Sequence, residues 1–200
     1  MARYRKATVA ALAASALLVT SGAAYAGDLR IRKTVDEAPS MSWAYYNGGL
    51  TDLSPGTKDV YDGARATAMM MSIDNESTFR VTLRGLKKSA MHNEYGAHLH
   101  TGPCGLDANQ QPTVGGHYNT TPAGQSLVVN DKTEVWLNFQ VHSLDNTRAT
   151  AVVPFVPDGT RSITFHEKAT VHHGDGVGTA GLKLACIPLD IKRSAALSSK

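Results

Sequence analysis

Two histidines one residue apart, His98 and His100, lie in the segment Gly96-Ala97-His98-Leu99-His100. Side chains alternate between the two faces of a β-strand, so residues i and i+2 point the same way and two imidazoles can meet one ion. The other two histidines in distinctive settings are His117, in Gly115-Gly116-His117-Tyr118-Asn119, and His166, in His166-Glu167-Lys168-Ala169-Thr170. Four imidazoles without a thiolate suit a tetragonal copper(II) site, and copper, unlike zinc, can exchange single electrons.

The first 26 residues have the pattern of a signal peptide. Arg3, Arg5 and Lys6 form a positive region, and the apolar stretch 7–20 is short for a membrane span. Ala24-Tyr25-Ala26 provides small residues before a cleavage point at Gly27. This pattern predicts an exported protein, extracellular or periplasmic. After the leader, the sequence has no apolar run long enough to predict a membrane span.

The charge balance argues against a nucleic-acid partner. The chain has 20 Lys and Arg against 17 Asp and Glu, but three of the basic residues belong to the leader. The mature chain is therefore formally neutral, and no basic stripe follows that could track a phosphate backbone.

The two cysteines, Cys104 and Cys186, predict a disulfide, because exported proteins meet an oxidising environment. Closing so long a loop would stabilise the fold by roughly 4 to 5 kcal/mol in the chain-entropy model. The alternative is a pair of free, buried thiols.

Short segments of alternating polarity predict an all-β domain. Phe79, Val81 and Leu83, for example, alternate with polar residues, as in a half-buried antiparallel strand. Similar segments, with turn signals between them, predict a sandwich or barrel with long functional loops at 101–125 and 172–181. The predicted strands are 67–73, 78–86, 96–100, 134–141, 149–156, 161–166 and 182–191, with 42–46 as a further candidate.

Met69-Met70-Met71 offers thioether sulfur, which binds copper(I). Adjacent residues of a strand face opposite sides, however, and this favours a packing role in the core.

Taken together, these motifs resemble those of the copper/zinc superoxide dismutase family. The matching segments are Gly96–His100, Gly115–Asn119, His166–Ala169 and Ala180–Cys186. The order and rough spacing agree from about Ala66 to Ile191. The resemblance implies a Greek-key antiparallel β-sandwich or barrel and a reaction in which superoxide becomes oxygen and hydrogen peroxide. The organisation predicted is a signal peptide (1–26), an N-terminal extension or first strand (27–65), a superoxide dismutase-like domain (66–191) and a flexible tail (192–200).

The resemblance also implies roles for individual residues. His98, His100, His117 and His166 match the copper ligands, and His117 matches the histidine that joins copper to zinc in two-metal members. Cys104 and Cys186 match the family's disulfide. Lys183 stands where the family has an arginine that attracts superoxide; lysine keeps the charge but loses the planar fork.

The segment after His117 lacks the further histidines and the aspartate that bind zinc in the family, so we expect copper and no zinc in the family position. Metal-bound histidines normally have a partner on the outer nitrogen, and Asp131 or Glu134 is the candidate for His117. His92 and His142 are expected to be ordinary surface or core residues. His172 and His173 are expected to be a solvated loop pair, although they could also bind metal adventitiously or line the site entrance.

Two functions remain open at this stage. The first is a secreted copper-dependent superoxide dismutase with superoxide as its substrate, in which Lys183 and His117 take part in catalysis. The alternative is a non-catalytic protein that buffers or delivers copper on the same fold. The sequence leaves the oligomeric state open between monomer and homodimer.

Overall fold

The computed structural model describes residues 40–194. The predicted signal peptide (1–26), the segment 27–39 and residues 195–200 of the predicted tail lie outside this range. Within it, one short 3-10 helix spans Lys88–Ala90, and no helix is long and apolar enough to cross a membrane. The strands in chain order are β1 (Met41–Gly49), β2 (Thr51–Asp52), β3 (Arg65–Ile73), β4 (Glu76–Arg84), β5 (Glu94–Tyr95), β6 (Ala97–His100), β7 (Phe139–Gln140), β8 (Thr147–Val153), β9 (Thr160–His166), β10 (Lys183–Asp190) and β11 (Lys192–Arg193).

Two antiparallel sheets pack against each other. The first has the strand order β11-β1-β3-β4-β8, and the second has the order β2-β10-β9-β6. A small third sheet pairs β5 with β7. The predicted all-β antiparallel sandwich is therefore confirmed, while the Greek-key connectivity and the likeness to superoxide dismutase stay predictions.

The core follows from the period of two along the strands. In β4, Phe79, Val81 and Leu83 are at most 2% exposed, and the residues between them face outward. From the second sheet, Ile163 and Phe165 belong to the same apolar cluster. Burying one such side chain contributes about 1.5–3 kcal/mol, and this shared core fixes the strands that carry the candidate ligands.

The methionine triplet is divided between the two faces of β3. Met70 is fully buried, whereas Met69 and Met71 are 40% and 42% exposed on the outer face. The prediction of a core role is right for Met70 and wrong for its two neighbours, because alternation sends only one residue in two to the core.

Most predicted strands are confirmed to within about three residues at each end, but two segments differ in kind from what was predicted. Lys192 and Arg193, assigned above to a flexible tail, instead form β11, which pairs with Ser42 and Trp43 of β1. The free edge of β1 explains this, because it offers backbone groups that a following segment can pair with. In the predicted strand 134–141 only β7 is regular; the part before it joins β6 through an isolated bridge between His98 and Trp136.

Candidate metal centre

The second sheet positions three of the four motif histidines. His98 and His100 lie two residues apart on β6, while Ala97 and Leu99 between them pack in the core. Strand β9 pairs with β6 and ends at His166, whose backbone N–H donates to the carbonyl of Gly96 at 2.9 Å. The alternation predicted from the sequence therefore sends these imidazoles to the face of the sheet opposite the core.

The fourth histidine, His117, comes from the long loop between β6 and β7. An isolated bridge pairs it with His100, and the N–H of Tyr118 donates to the carbonyl of Leu99 at 2.8 Å. This local pairing carries the loop along the edge of β6. It therefore brings His117 over the other three imidazoles although the loop has no regular strand there.

The four imidazoles converge. One ring nitrogen from each lies within 4.8 Å of the others, and Nε2 of His166 is 3.3 Å from both Nδ1 of His98 and Nε2 of His100. Opposite ligands about 2 Å from one ion would be about 4 Å apart, so the cluster is close to the size of a filled site. Within residues 40–194, these histidines are the group of candidate ligands that could hold a metal ion.

Backbone carbonyls hold the outer nitrogens of two histidines. Nδ1 of His100 donates to the carbonyl of Gly115 at 3.0 Å, and Nδ1 of His166 donates to that of Gly181 at 3.3 Å. Both glycines have positive φ angles, 72° and 78°, which favour residues without a side chain. The motif glycines thus shape the loops that orient the ligands, as metal-bound histidines require.

A buried carboxylate holds the outer nitrogen of His117. Nδ1 of His117 donates to Oε2 of Glu134 at 2.9 Å, and Glu134 also accepts bonds from Nε1 of Trp136 and Nδ2 of Asn119. Burial alone would raise the pKa of Glu134, but these three hydrogen bonds outweigh it and lower the pKa. Of the two predicted partners, Glu134 therefore contacts His117, whereas Asp131 is exposed and lies beside Lys132.

The outer nitrogen of His98 has neutral partners. Nε2 of His98 is 2.9 Å from Oγ1 of Thr170, whose hydroxyl donates to Oδ1 of Asn138. Nδ2 of Asn138 is in turn 3.0 Å from Nε2 of His172, an exposed residue. Sequence reasoning missed Thr170 and Asn138, because they come from separate loops and follow no periodic pattern.

Burial keeps the sheet histidines neutral. Desolvation lowers the pKa of His98, and it lowers the pKa of His100 to about 3 and that of His166 to about 4. At neutral pH these rings keep a free lone pair on the inner nitrogen, which is the form that binds a metal ion.

Lys183 lies at the open side of the cluster. It is the first residue of β10, pairs with His166 across the sheet, and its Nζ donates to the carbonyl of Gly115 at 2.8 Å. An open groove of about 490 Å³ has both Lys183 and His117 in its lining. A small anion entering this groove would therefore meet an ammonium group next to the imidazoles.

A disulfide joins the long loop after β6 to strand β10. Cys104, in the loop after β6, is bonded to Cys186 of β10, with their Cα atoms 5.6 Å apart. Cys186 is fully buried beside Val114 and Leu53. The predicted pairing is confirmed, and it ties the loop that carries His117 to the strand that begins at Lys183.

The remaining histidines do not join the cluster. His92, His142 and His173 are exposed, and only His172 contacts the hydrogen bonds around His98. Comparison with known proteins gives no assignment, since no protein-family model and no curated protein matches the chain. The geometry of the four histidines is therefore the observation that bears most directly on function.

Proposed function

We propose that this protein is an exported, copper-dependent superoxide dismutase, which converts two superoxide anions and two protons to oxygen and hydrogen peroxide. The observation that carries the proposal is the convergence of four imidazole nitrogens beside an open groove that holds Lys183. A redox site for a small anion needs both a metal-binding set and an accessible side, and the open groove supplies the second.

The donor set fits copper. Imidazole is a good ligand for copper, and among the divalent first-row metals copper binds such sites most tightly. The buried rings are neutral at physiological pH and their outer nitrogens are hydrogen-bonded, so little reorganisation precedes binding. Bound copper would supply one-electron exchange in both directions.

Lys183 attracts and positions the substrate in this proposal. Its ammonium group is held by the carbonyl of Gly115, which also accepts the bond from His100. The charge is therefore fixed close to the imidazoles. A superoxide anion in the groove is drawn towards the metal by this charge, which also favours a fast encounter.

His117 is suited to handle a proton. Because Nδ1–H of His117 donates to Glu134, Nε2 is the nitrogen that can bind either a metal ion or a proton. The buried Glu134 carboxylate accepts the Nδ1–H of His117 and so keeps Nε2 turned towards the cluster. His117 can therefore hold a proton at Nε2 for transfer to the reduced substrate.

Export rests on two observations. The first 26 residues have the pattern of a signal peptide, and the chain contains a disulfide. Such cross-links persist in oxidising compartments, which supports an extracellular or periplasmic location.

The test is the rate of superoxide decay with the mature, disulfide-bonded protein carrying copper alone. We expect a fast, copper-dependent rate that disappears in His98→Ala/His166→Ala and in protein loaded with zinc alone. Tight copper binding with a rate no better than that of chelated copper would contradict the enzymatic proposal. That result would favour the alternative, a protein that buffers or delivers copper.

A further inference from the structure

His98 faces the cluster with a different nitrogen from its neighbours. It presents Nδ1, which is 3.3 Å from Nε2 of His166, whereas His100 and His166 present Nε2 and donate Nδ1–H to backbone carbonyls. A neutral imidazole carries its proton on one nitrogen only. His98 can therefore offer a lone pair to a metal ion only if its proton resides on Nε2.

We propose that Thr170, supported by Asn138, is a positioning residue that fixes this tautomer of His98. The hydroxyl of Thr170 is 2.9 Å from Nε2 of His98 and can accept its proton in a hydrogen bond. The inference deepens the proposed function and rests on its metal site, but it concerns groups that the chain itself supplies.

The hydrogen bonds around Thr170 have one consistent direction. Nε2–H of His98 donates to Thr170, the Thr170 hydroxyl donates to Oδ1 of Asn138, and Nδ2 of Asn138 donates to Nε2 of His172. Because the Thr170 proton is already engaged by Asn138, the hydroxyl is left as an acceptor towards His98. The reverse tautomer of His98 would place an acceptor nitrogen against an acceptor oxygen.

The fold makes room for this contact. A side-chain carbon at Gly96 would clash with the Thr170 hydroxyl and lie 2.9 Å from Cβ of Ala180. The N–H of Gly96 also donates to the carbonyl of Lys168 at 2.8 Å, which holds the loop before Thr170 against β6. Gly96 has no positive φ in the structure, so close approach explains the absence of a side chain there.

This partner differs from that of His117 in charge. Thr170 and Asn138 are neutral, whereas Glu134 places a buried carboxylate next to His117. Thr170 therefore orients a ligand without adding negative charge to the site. Its loss is expected to disturb the tautomer of His98 more than the charge balance of the metal centre.

The test compares the full-length mature protein with Thr170→Val, which keeps the shape and removes the hydroxyl, and with Thr170→Ser, which restores it. Nitrogen-15 NMR of the histidine rings in the metal-free protein reports the His98 tautomer. Competition with a chelator of known affinity reports copper(II) binding. We expect the Nε2–H tautomer in the unmodified protein, its loss in Thr170→Val with about tenfold weaker copper binding, and recovery of both in Thr170→Ser.

Thr164 provides a matched control. It lies opposite His98 on β9, is fully buried, and its hydroxyl has no hydrogen-bond partner among residues 40–194. Thr164→Val makes the same chemical change on β9, the strand that pairs with the one carrying His98. It is expected to leave the His98 tautomer unchanged. An effect of Thr164→Val equal to that of Thr170→Val would show a general packing disturbance and overturn the proposal.

The remaining outcomes separate this inference from the proposed function. An unchanged tautomer and affinity in Thr170→Val, or a failure of Thr170→Ser to restore them, overturns the positioning role alone. A protein that binds copper without dismutating superoxide contradicts the enzymatic proposal but leaves the positioning result standing. An unmodified protein that binds no copper overturns both.

Discussion

Three of the candidate ligands lie on strands, whereas the fourth lies on a long loop. His98, His100 and His166 are at most 3% exposed on β6 and β9, and the side chain of His117 is 22% exposed. Backbone pairing between β6 and β9 fixes the strand-borne group. The loop-borne ligand depends instead on a short bridge to β6, on Glu134 and on the nearby disulfide.

This difference divides the site into a part held by the pairing of strands and a part held by loop contacts. The strand-borne imidazoles belong to the sandwich itself, so a major disturbance of the sheet is needed to move them out of position. His117 lies beside the groove and has a charged partner, so its position can respond to changes in the loop. In the proposed reaction, the strands would hold the metal and the loop would carry the proton.

The largest effect is expected from removing the disulfide. Cys104→Ser/Cys186→Ser opens a link between residues 82 apart in sequence, which is expected to lower the free energy of unfolding by about 4 to 5 kcal/mol. Urea unfolding measures this loss. The still-folded variant should bind copper more weakly, because His117 is no longer held in place. It should still bind copper with the three strand-borne histidines. Complete loss of copper binding in a folded variant would contradict the division.

The strand-borne histidines should make the stability of the metal-free protein depend on pH. Their pKa values are lowered in the folded state, so the unfolded chain binds more protons and stability falls as the pH drops from about 6.5 towards 4. For His166, the gap between 6.5 and about 4 is equivalent to about 3 kcal/mol. Denaturant titrations at several pH values measure the slope.

A matched pair of variants assigns that slope to the buried rings. His166→Gln should flatten the dependence of stability on pH, whereas His142→Gln, at an exposed position, should leave it unchanged. A slope that is the same in all three proteins would show that the buried rings are not its source.

Replacing the charged partner of His117 should have an intermediate effect. Glu134→Gln keeps the shape but removes the carboxylate that accepts from His117, and we expect copper(II) affinity to fall roughly 10- to 100-fold. Asp131→Asn is the control, because that carboxylate is exposed and contacts Lys132. Competition with a chelator measures both variants, and equal affinities would refute a role for Glu134 in holding His117.

The smallest effect concerns the charge beside the groove. Lys183→Gln should slow superoxide decay about fivefold at low salt, the size expected for one charge acting at short range through water. The rate should also lose much of its dependence on ionic strength. Lys132→Gln, which removes an exposed charge paired with Asp131, should leave the rate unchanged. A similar loss in both variants would point to net charge rather than to the position of Lys183.

The sequence predicted the strand-borne part of the site better than the loop-borne part. Alternation along β6 was enough to place His98 and His100 on one face, and the period of two in β4 identified its core residues. The predicted disulfide was also correct, because two cysteines in an exported chain allow only one intramolecular pairing. These features depend on local periodicity or on simple counting.

The rest required three-dimensional contacts. Asp131 and Glu134 are equivalent in sequence reasoning, and only the path of the loop brings Glu134 to His117. Thr170 and Asn138 are 32 residues apart and meet through tertiary packing that no local pattern encodes. The strand formed by Lys192 and Arg193 likewise depends on the open edge of β1.

The most direct test of the central claim counts the imidazoles around one bound ion. Pulsed electron paramagnetic resonance of the protein with one equivalent of copper(II) should show a single species with four histidine ligands. His117→Ala should retain copper with the three strand-borne ligands, and His98→Ala/His166→Ala should lose the signal of this site. Fewer than four imidazoles in the unmodified protein, or a spectrum unchanged by His117→Ala, would contradict the account.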